Sequence, residues 1–267
     1  MLKRLFIGLG LMAVVIICFA VSTETALLLV VAFALVSCYE IGDTLQKLNR
    51  NVVKWIPMAL VVGSTLMIYF KLDLLFIAAL FIVLIVATFV VCMKSKKRTA
   101  QDALMTLGTL LYPGISFVSI VYICSLPFSE WFAVFITGFV GAVGCDTFAY
   151  FGGKFFGKHK LAPVLSPKKT IEGSISGSVG ATIAAIVFWY FSRNIVACGV
   201  WEVIIVAFVC SIISQIGDLS ASYIKREAGI KDFGNLIPAH GGAMDRLDSL
   251  LFAIPAAYVI LKLFERF

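Results

Sequence analysis

Hydrophobic residues fall in long uninterrupted runs, separated by short polar segments, along almost the whole chain. Continuous apolar runs are typical of membrane helices, whereas a membrane β-barrel would show alternating polar and apolar positions. A run of about 17–25 residues is long enough to cross roughly 30 Å of hydrocarbon as a helix. The pattern predicts about nine such helices, which cover Leu5–Val21, Ala26–Ile41, Val53–Phe70, Leu74–Cys92, Ala103–Cys124, Trp131–Phe151, Gly173–Phe191, Val196–Gly217 and Leu247–Phe264.

Composition places the chain in the same class. Hydrophobic residues make up 61% of it and charged residues 14%, which is far from the usual balance of a soluble domain. We therefore predict an all-α, polytopic integral membrane protein that forms a single domain over residues 1–267. Residues 1–143 supply helices, and residues 144–267 add the cytoplasmic segments that carry the active site. The seven cysteines contain no CxxC pair, so neither a zinc site nor a disulfide framework is indicated.

The distribution of cations predicts the orientation. With a cytoplasmic N-terminus, most of the 22 Lys and Arg residues fall on the cytoplasmic side, as the positive-inside rule requires. An odd number of helices then leaves the C-terminus outside. The net charge of +7 reflects this topology and an anionic ligand or lipid surface. Nucleic acid is not an expected partner.

The N-terminal half offers little chemistry. Glu40 and Asp43 fall near the end of the second apolar run, where solvated or capping roles are the default expectation. Pro113 and Gly114 interrupt the fifth run and predict a kink there. The functional residues are therefore expected in the C-terminal half.

The first unusual polar segment, residues 144–173, joins two apolar runs. Asp146 falls near the end of the first run, where a carboxylate usually faces a polar cavity or a charged partner. Farther along, hydroxyls and paired lysines precede a predicted helix, a combination that suits phosphate oxygens. These candidate phosphate ligands are Ser166, Lys168, Lys169 and Thr170. An ordinary positively charged loop with a Ser or Thr helix cap is the alternative.

The second polar segment begins at the end of the eighth apolar run and carries both signs of charge. Its first polar residues share one helix face if the helix continues beyond the bilayer; they are Asp218, Ser222, Lys225 and Arg226. Gly229 is expected near the exit from that helix. A sharp turn over residues 238–242 then leads into Asp245 and Asp248, which point to the same side of a helix because they are three positions apart.

The acids of this segment suggest a metal site. Carboxylates at Asp218, Asp245 and Asp248 would repel one another around a single cavity unless a cation neutralised them. An oxygen-only ligand set suits Mg²⁺, which commonly takes one or two carboxylates together with waters and substrate phosphates. The alternative is a lattice of salt bridges that uses Lys225, Arg226 and Arg246.

At these positions the sequence resembles the phosphatidate cytidylyltransferase (CDP-diacylglycerol synthase) family. The family signature has the form Ser-x-x-Lys-Arg, four residues, Lys-Asp, and then His-Gly-Gly-x-x-Asp-Arg-x-Asp. The residues that match it are Ser222, Lys225, Arg226, Lys231, Asp232, His240, Gly241, Gly242, Asp245, Arg246 and Asp248. The upstream segment over residues 146–173 is also similar, so the resemblance covers about the C-terminal half by motif. Ala243 is a mild departure, because a larger aliphatic residue is common there.

The resemblance implies that CMP is transferred from CTP to phosphatidate, giving CDP-diacylglycerol and pyrophosphate in phospholipid biosynthesis. It also implies a requirement for Mg²⁺, with a second cation left open, and a homodimer in the bacterial inner membrane with its active site facing the cytoplasm. CTP, phosphatidate and membrane lipids are the expected partners. The lipid phosphate is largely dianionic near neutrality, because its second pKa is about 6. It can therefore attack CTP without a general base.

The resemblance also implies residue roles. Asp218, Asp245 and Asp248 are expected to hold the metal, with Asp146 as a further ligand or an orienting acid. Lys225 and Arg226 are expected to act on phosphate during catalysis, and His240 is expected to shape the glycine turn. The complete substrate-binding set is Ser166, Lys168, Lys169, Thr170, Ser222, Lys231, Asp232, His240 and Arg246.

Two other functions remain open on the sequence alone. A CTP-dependent enzyme acting on another lipid phosphate, such as an ether or polyprenyl lipid, would use the same chemistry. A membrane transporter could explain acids near the bilayer, but it would not explain two cytoplasmic segments rich in lysine and glycine.

Overall fold

The structure is a computed structural model that describes residues 21–196, 198–236 and 241–264, together with Val14, Ile17 and Cys18. Its described residues are predominantly helical, which confirms the predicted fold class, and they include one small two-stranded sheet. The chain forms two compact units, each built from two stretches of sequence. The first unit comprises Met1–Ser125 and Glu227–Arg246, and the second comprises Leu126–Arg226 and Leu247–Phe267.

The first unit is built from five described α-helices and one π-type turn. The helices are α1 (Thr23–Lys47), α2 (Trp55–Tyr69), α3 (Leu74–Lys94), α4 (Ala100–Thr109) and α5 (Ser116–Cys124), with the turn at Leu110–Ile115 between the last two. Their core contains Val53, Ile56, Leu60, Leu84 and Leu110, all of them buried.

The second unit begins with α6 (Phe128–Val134), a π-type turn (Phe135–Phe139) and α7 (Val140–Phe156). The antiparallel hairpin of β1 (Lys160–Ala162) and β2 (Ser166–Thr170) follows. The remaining elements are α8 (Ile171–Ser192), α9 (Val200–Glu227), the short α10 (Met244–Leu247), which the boundary between the units divides, and α11 (Leu250–Leu263).

Polar side chains cap the helices where the apolar runs begin. Ser22 and Thr25 form a reciprocal capping box at the start of α1, and Thr99 and Asp102 form one at the start of α4. Thr170 caps α8 by accepting a hydrogen bond from the Gly173 N–H at 3.1 Å. Such caps satisfy backbone donors that have no partner within the helix.

Two local predictions from proline and glycine are confirmed. Tyr112 has non-helical φ and ψ angles of −132° and 112°, so the fifth predicted span bends beside Pro113 and Gly114. The helix α9 continues through Arg226 and ends at Glu227, and Gly229 then adopts a φ of +67°, a conformation that glycine tolerates without a Cβ clash.

Six helical segments of the described residues are long and apolar enough to cross a membrane: Thr23–Lys47, Leu74–Lys94, Ala100–Cys124, Phe128–Phe156, Ile171–Ser192 and Val200–Glu227. Of these, α3 is the most apolar, with a mean hydropathy of 3.3, and only 11% of its most apolar 18-residue stretch is buried, as expected for a helix that faces lipid. The first predicted span, Leu5–Val21, lies mostly outside the described residues. The count of nine spans and the orientation stay predictions.

Glycines allow α7 and α8 to approach closely in the second unit. Gly173 and Gly177 lie four residues apart on one face of α8. A Cβ at Gly177 would lie 2.8 Å from the Cys145 carbonyl oxygen and 2.9 Å from the Ala149 Cβ. Small residues at this spacing are common where membrane helices pack together. The contact matters for function because α7 carries Asp146 and α8 follows the hairpin.

We expect Gly177→Ala to destabilise the protein by about 1–3 kcal/mol, because the added methyl overpacks the contact with α7. Gly108→Ala is the matched control, since a Cβ at Gly108 meets no atom within 4 Å and alanine is the better helix former. Thermal unfolding in detergent would measure both variants. A Gly177→Ala protein that melts at or above the wild-type temperature would contradict the packing described for these helices.

Candidate active site

Three carboxylates of the second unit interact with one another. Asp146 lies on α7, Asp218 lies on α9, and Asp248 lies in the turn before α11, outside the six candidate spans. The Asp248 side chain is buried, with 6% exposure, and it interacts electrostatically with the carboxylates of Asp218 and Asp146. Two of the predicted metal ligands, Asp218 and Asp248, are thus brought together, and Asp146 joins them.

A lysine from the hairpin offsets part of this negative charge. Lys169, on β2, forms an ion pair with the Asp218 carboxylate. Its charge also acts on Asp146. The two paired side chains are about three-quarters buried, at 26% and 25% exposure. A partly buried lysine among three acids is more strongly attracted to them than one in water, because the effective dielectric constant is lower.

Packing holds the acid from the final turn close to α9. A Cβ at Gly217 would lie 2.7 Å from the Asp248 carbonyl oxygen, so the backbones meet here without an intervening side chain. Asp248 Oδ1 accepts hydrogen bonds from the N–H of Ser249 at 2.8 Å and from its hydroxyl at 3.3 Å. Ser249 also interacts with the Asp146 side chain. These contacts fix where the carboxylates lie.

A cavity of about 320 Å³ opens beside the acids. Its lining comes from α7, the hairpin, α8 and α9, and it includes Asp146, Lys154, Lys168, Lys169, Ser174 and Gln215. The volume falls within the range of small-molecule sites, which is about 300–1,000 Å³. One acid, Asp146, therefore lines the pocket together with three lysines and glycine backbone, a combination that suits a phosphate-bearing ligand.

Gln215 is a cavity residue that the sequence did not reveal. Its amide nitrogen donates to the Ser178 hydroxyl at 3.1 Å and to the Ser211 carbonyl oxygen at 3.3 Å, while its amide oxygen accepts from the Ser174 hydroxyl. These bonds fix the amide orientation and link α9 to α8. A lone Gln within an apolar run was the only available signal, and it does not distinguish a pocket residue from a packing residue.

Glu172 anchors the hairpin to the start of α8. Its carboxylate accepts the N–H of Lys158 at 3.0 Å and that of His159 at 3.2 Å, and it lies 2.5 Å from His159 Nδ1. The Ile171 N–H also donates to the His159 carbonyl oxygen at 2.9 Å. This network fixes the strand ends, and with them the position of Lys169.

The other predicted ligands of the first segment have different surroundings. Lys168 is exposed and lines the cavity, and Ser166 is half-buried at the start of β2. Thr170 lines the cavity while its hydroxyl caps α8, so the capping alternative holds for that hydroxyl.

The predicted polar face of α9 lies in the same unit. Lys225 is buried, with 8% exposure, and its charge acts on Asp248. Ser222 is also buried, whereas Arg226 is exposed and its Nε donates to the Leu165 carbonyl oxygen at 3.4 Å. Lys225 therefore joins Lys169 in offsetting the acid group, and Arg226 connects α9 with the hairpin turn.

The remaining predicted residues belong to the first unit. Asp245 Oδ2 accepts the N–H of Phe233 at 2.8 Å and that of Gly242 at 3.0 Å. This oxygen is engaged by backbone, and the metal role of Asp245 stays a prediction. The exposed residues of this group are Lys231, Asp232 and Arg246, and His240 lies outside the described residues.

The donor set suits Mg²⁺ better than a softer ion. Within the described ranges, no group of three or more His, Cys, Asp or Glu side chains is arranged to hold a metal ion by itself. Mg²⁺ is usually held by one or two carboxylates, with waters and substrate phosphates completing its shell. One or two of the carboxylates of Asp146, Asp218 and Asp248 would meet that requirement, whereas zinc would call for Cys or His.

The fold and the cavity define a helical membrane protein with an acid-and-lysine pocket. A sequence profile described as "Cytidylyltransferase family" matches residues 2–264. The chain belongs to this family.

Curated relatives carry a more specific name. Proteins named phosphatidate cytidylyltransferase from Staphylococcus haemolyticus (strain JCSC1435) and Staphylococcus aureus (strain COL) are 38% identical over 169 residues and 39% identical over 171 residues. Each match covers 62% of this chain and 62% of the relative's length. The matched region is therefore less than two thirds of each relative.

We expect Lys169→Gln to lower stability by about 1 kcal/mol, because Asp218 loses the charge that offsets it while Asp146 and Asp248 remain close. Lys160→Gln, on the exposed first strand of the same hairpin, is the control and should melt as the wild type does. Chemical denaturation in detergent would measure the two variants. Equal stabilities of the Lys169 and Lys160 variants would show that the ion pair does not stabilise the site.

Proposed function

We propose that this protein transfers CMP from CTP to phosphatidate, releasing pyrophosphate and forming CDP-diacylglycerol for phospholipid biosynthesis. The observation that carries the proposal is the ion pair of Lys169 with Asp218, next to Asp146 and Asp248, at the edge of a lysine-lined cavity. Membership of the family and the names of the Staphylococcus relatives support it.

The cavity residues can bind a nucleoside triphosphate by charge. Lys154, Lys168 and Lys169 line it and offer ammonium groups to phosphate oxygens. Lys169 can exchange its bond to Asp218 for one to a phosphate, which would leave that carboxylate available. Mg²⁺, when bound, would supply positive charge shared by the carboxylates and the triphosphate. Asp146, Asp218 and Asp248 are the residues that would hold it, and Asp245 is proposed as a further ligand.

The chemical step requires no proton acceptor from the protein. A phosphate oxygen of phosphatidate forms a bond to the α-phosphorus of CTP, the bond from that phosphorus to the α–β bridging oxygen breaks, and pyrophosphate leaves. The lipid phosphate is already largely dianionic near neutrality. Of the two histidines in the chain, His159 is engaged with Glu172. Lysines in the cavity and on α9 would position the reacting groups and offset their charge.

The proposed setting is the bacterial cytoplasmic membrane, with the cavity open to the cytoplasm. The hairpin carries Lys160, Lys168 and Lys169, and the end of α9 carries Lys225 and Arg226, so under the positive-inside rule both would face the cytoplasm. That side of the membrane is also where CTP is available. A homodimer remains an expectation from the family resemblance.

The proposal predicts that purified protein in detergent moves radiolabel from CTP into lipid only when phosphatidate and Mg²⁺ are both present. We expect Asp218→Asn and Asp248→Asn to lower kcat by about 100- to 1,000-fold, because each variant would bind more weakly the metal that offsets negative charge at the reacting phosphates. Asp73→Asn is the control, since Asp73 caps α3 in a loop that is predicted to lie on the opposite side of the membrane.

Other outcomes separate the alternatives. Incorporation with an ether or polyprenyl lipid phosphate, but not with phosphatidate, would indicate a different lipid substrate. A folded wild-type protein that releases no pyrophosphate from CTP with any of these lipids would refute the proposed function. Full activity in both aspartate variants would refute the role given to the carboxylates.

A further inference from the structure

Glu40 is a buried carboxylate that the proposed chemistry does not use. It lies on α1, inside the first unit, with only 5% of its surface exposed. One oxygen accepts the N–H of Ala243 at 3.1 Å and the other accepts the N–H of Met244 at 2.9 Å. Glu40 is therefore not solvated, and it accepts N–H groups at the start of α10 instead of capping its own helix.

The surroundings of Glu40 leave room for the carboxylate and for little else. A Cβ at Gly242 would lie 2.4 Å from both carboxylate oxygens, and a Cβ at Gly234 would lie 2.2 Å from one of them. Glycine at both positions lets the backbone approach the carboxylate directly. Burying a charge without partners costs several kcal/mol, so a hydrophobic residue would be the simpler choice if α1 only needed packing here.

The contacted segment, residues 241–246, carries four residues of the signature: Gly241, Gly242, Asp245 and Arg246. Asp245 holds the same segment from within, by accepting the N–H groups of Gly242 and Phe233. Glu40 and Asp245 together therefore bind three consecutive backbone N–H groups, those of Gly242, Ala243 and Met244. The chain then continues through Leu247 directly into Asp248.

We propose that Glu40 is a positioning residue, which fixes residues 241–246 so that Asp245 and Arg246 are set for catalysis. This inference rests on the proposed function. Glu40 acts through the backbone of this segment and touches neither substrate nor metal. Second-layer groups of this kind typically change activity by about 10- to 100-fold when they are removed, since they fix the orientation of the groups that act directly.

The experiment compares Glu40→Ala, Glu40→Gln and the control Asp43→Asn in the full-length protein. Asp43 lies on the same helix but pairs with Lys47 and Lys54, at 3.4 Å and 3.3 Å. Hydrogen–deuterium exchange measures the amides of residues 241–246, and steady-state kinetics on the folded fraction measure kcat and KM separately.

We expect Glu40→Ala to speed exchange in residues 241–246 by about tenfold, because two amides lose their acceptors. Its kcat should fall by about 10- to 100-fold, while KM for CTP and for phosphatidate changes less than about threefold. Glu40→Gln should be intermediate in both measurements, because the two amides donate to different carboxylate oxygens and Gln replaces one of those oxygens with an NH₂ donor. Asp43→Asn should match the wild type.

Unchanged exchange of residues 241–246 in Glu40→Ala would overturn the inference. Faster exchange with an unchanged kcat would overturn it as well, because Glu40 would then be structural only, and so would a Glu40→Gln protein no better than Glu40→Ala. Wild-type protein without transferase activity would refute the proposed function instead, and the exchange measurement would still decide whether Glu40 holds the segment.

Discussion

The electrostatic constraint on which the site depends is the repulsion among Asp146, Asp218 and Asp248 in a partly buried setting. Like charges in a medium of low dielectric constant must be offset by cations or protons. Two lysines supply part of the positive charge that offsets these acids: Lys169 from the hairpin and Lys225 from α9. The packing around the site holds these three carboxylates and two ammonium groups close together. Glycine-mediated contact sets α7 against α8, Glu172 fixes the ends of the hairpin, and Gly217 lets the final turn approach α9.

Charge offset by a lysine side chain also suits the proposed site, which would accept an anionic substrate. A lysine that pairs with Asp218 keeps the empty site from accumulating negative charge, and it can turn to a phosphate when one enters. Mg²⁺ has the complementary property, because it binds carboxylates and phosphates at once. The proposed transfer reaction needs both functions and needs no general base, which agrees with a chain that has only two histidines.

Much of the fold and part of the site could be predicted from the sequence, and there is a physical reason why the other features could not. Helical membrane segments follow from continuous apolar runs, and the bend at Pro113 follows from proline geometry. Salt bridges from Lys225 to the acids of its own segment were an open alternative, but the ion pair of Lys169 with Asp218, which joins the two polar segments, was not predicted. The hairpin was not predicted either, because Ser166–Thr170 is short and shows no clear strand pattern.

The roles of Glu40 and Gln215 were not predicted because their partners lie far away in the sequence: Glu40 accepts the N–H of Ala243, and Gln215 donates to Ser178. Contacts of this kind depend on tertiary packing, which local periodicity does not encode. Asp245 was grouped with Asp218 and Asp248 by spacing, but its Oδ2 binds backbone within the first unit.

Metal binding tests the central claim most directly. Mn²⁺ serves as a paramagnetic probe for Mg²⁺, and its electron paramagnetic resonance signal can be titrated with purified protein and CTP, with phosphatidate omitted so that no turnover occurs. The carboxylate account predicts that protein and CTP together bind Mn²⁺ more tightly than CTP alone, that Mg²⁺ displaces it, and that replacing Asp146, Asp218 and Asp248 together with Asn removes the added affinity from a folded protein. Undiminished Mn²⁺ binding in that triple variant would contradict the account.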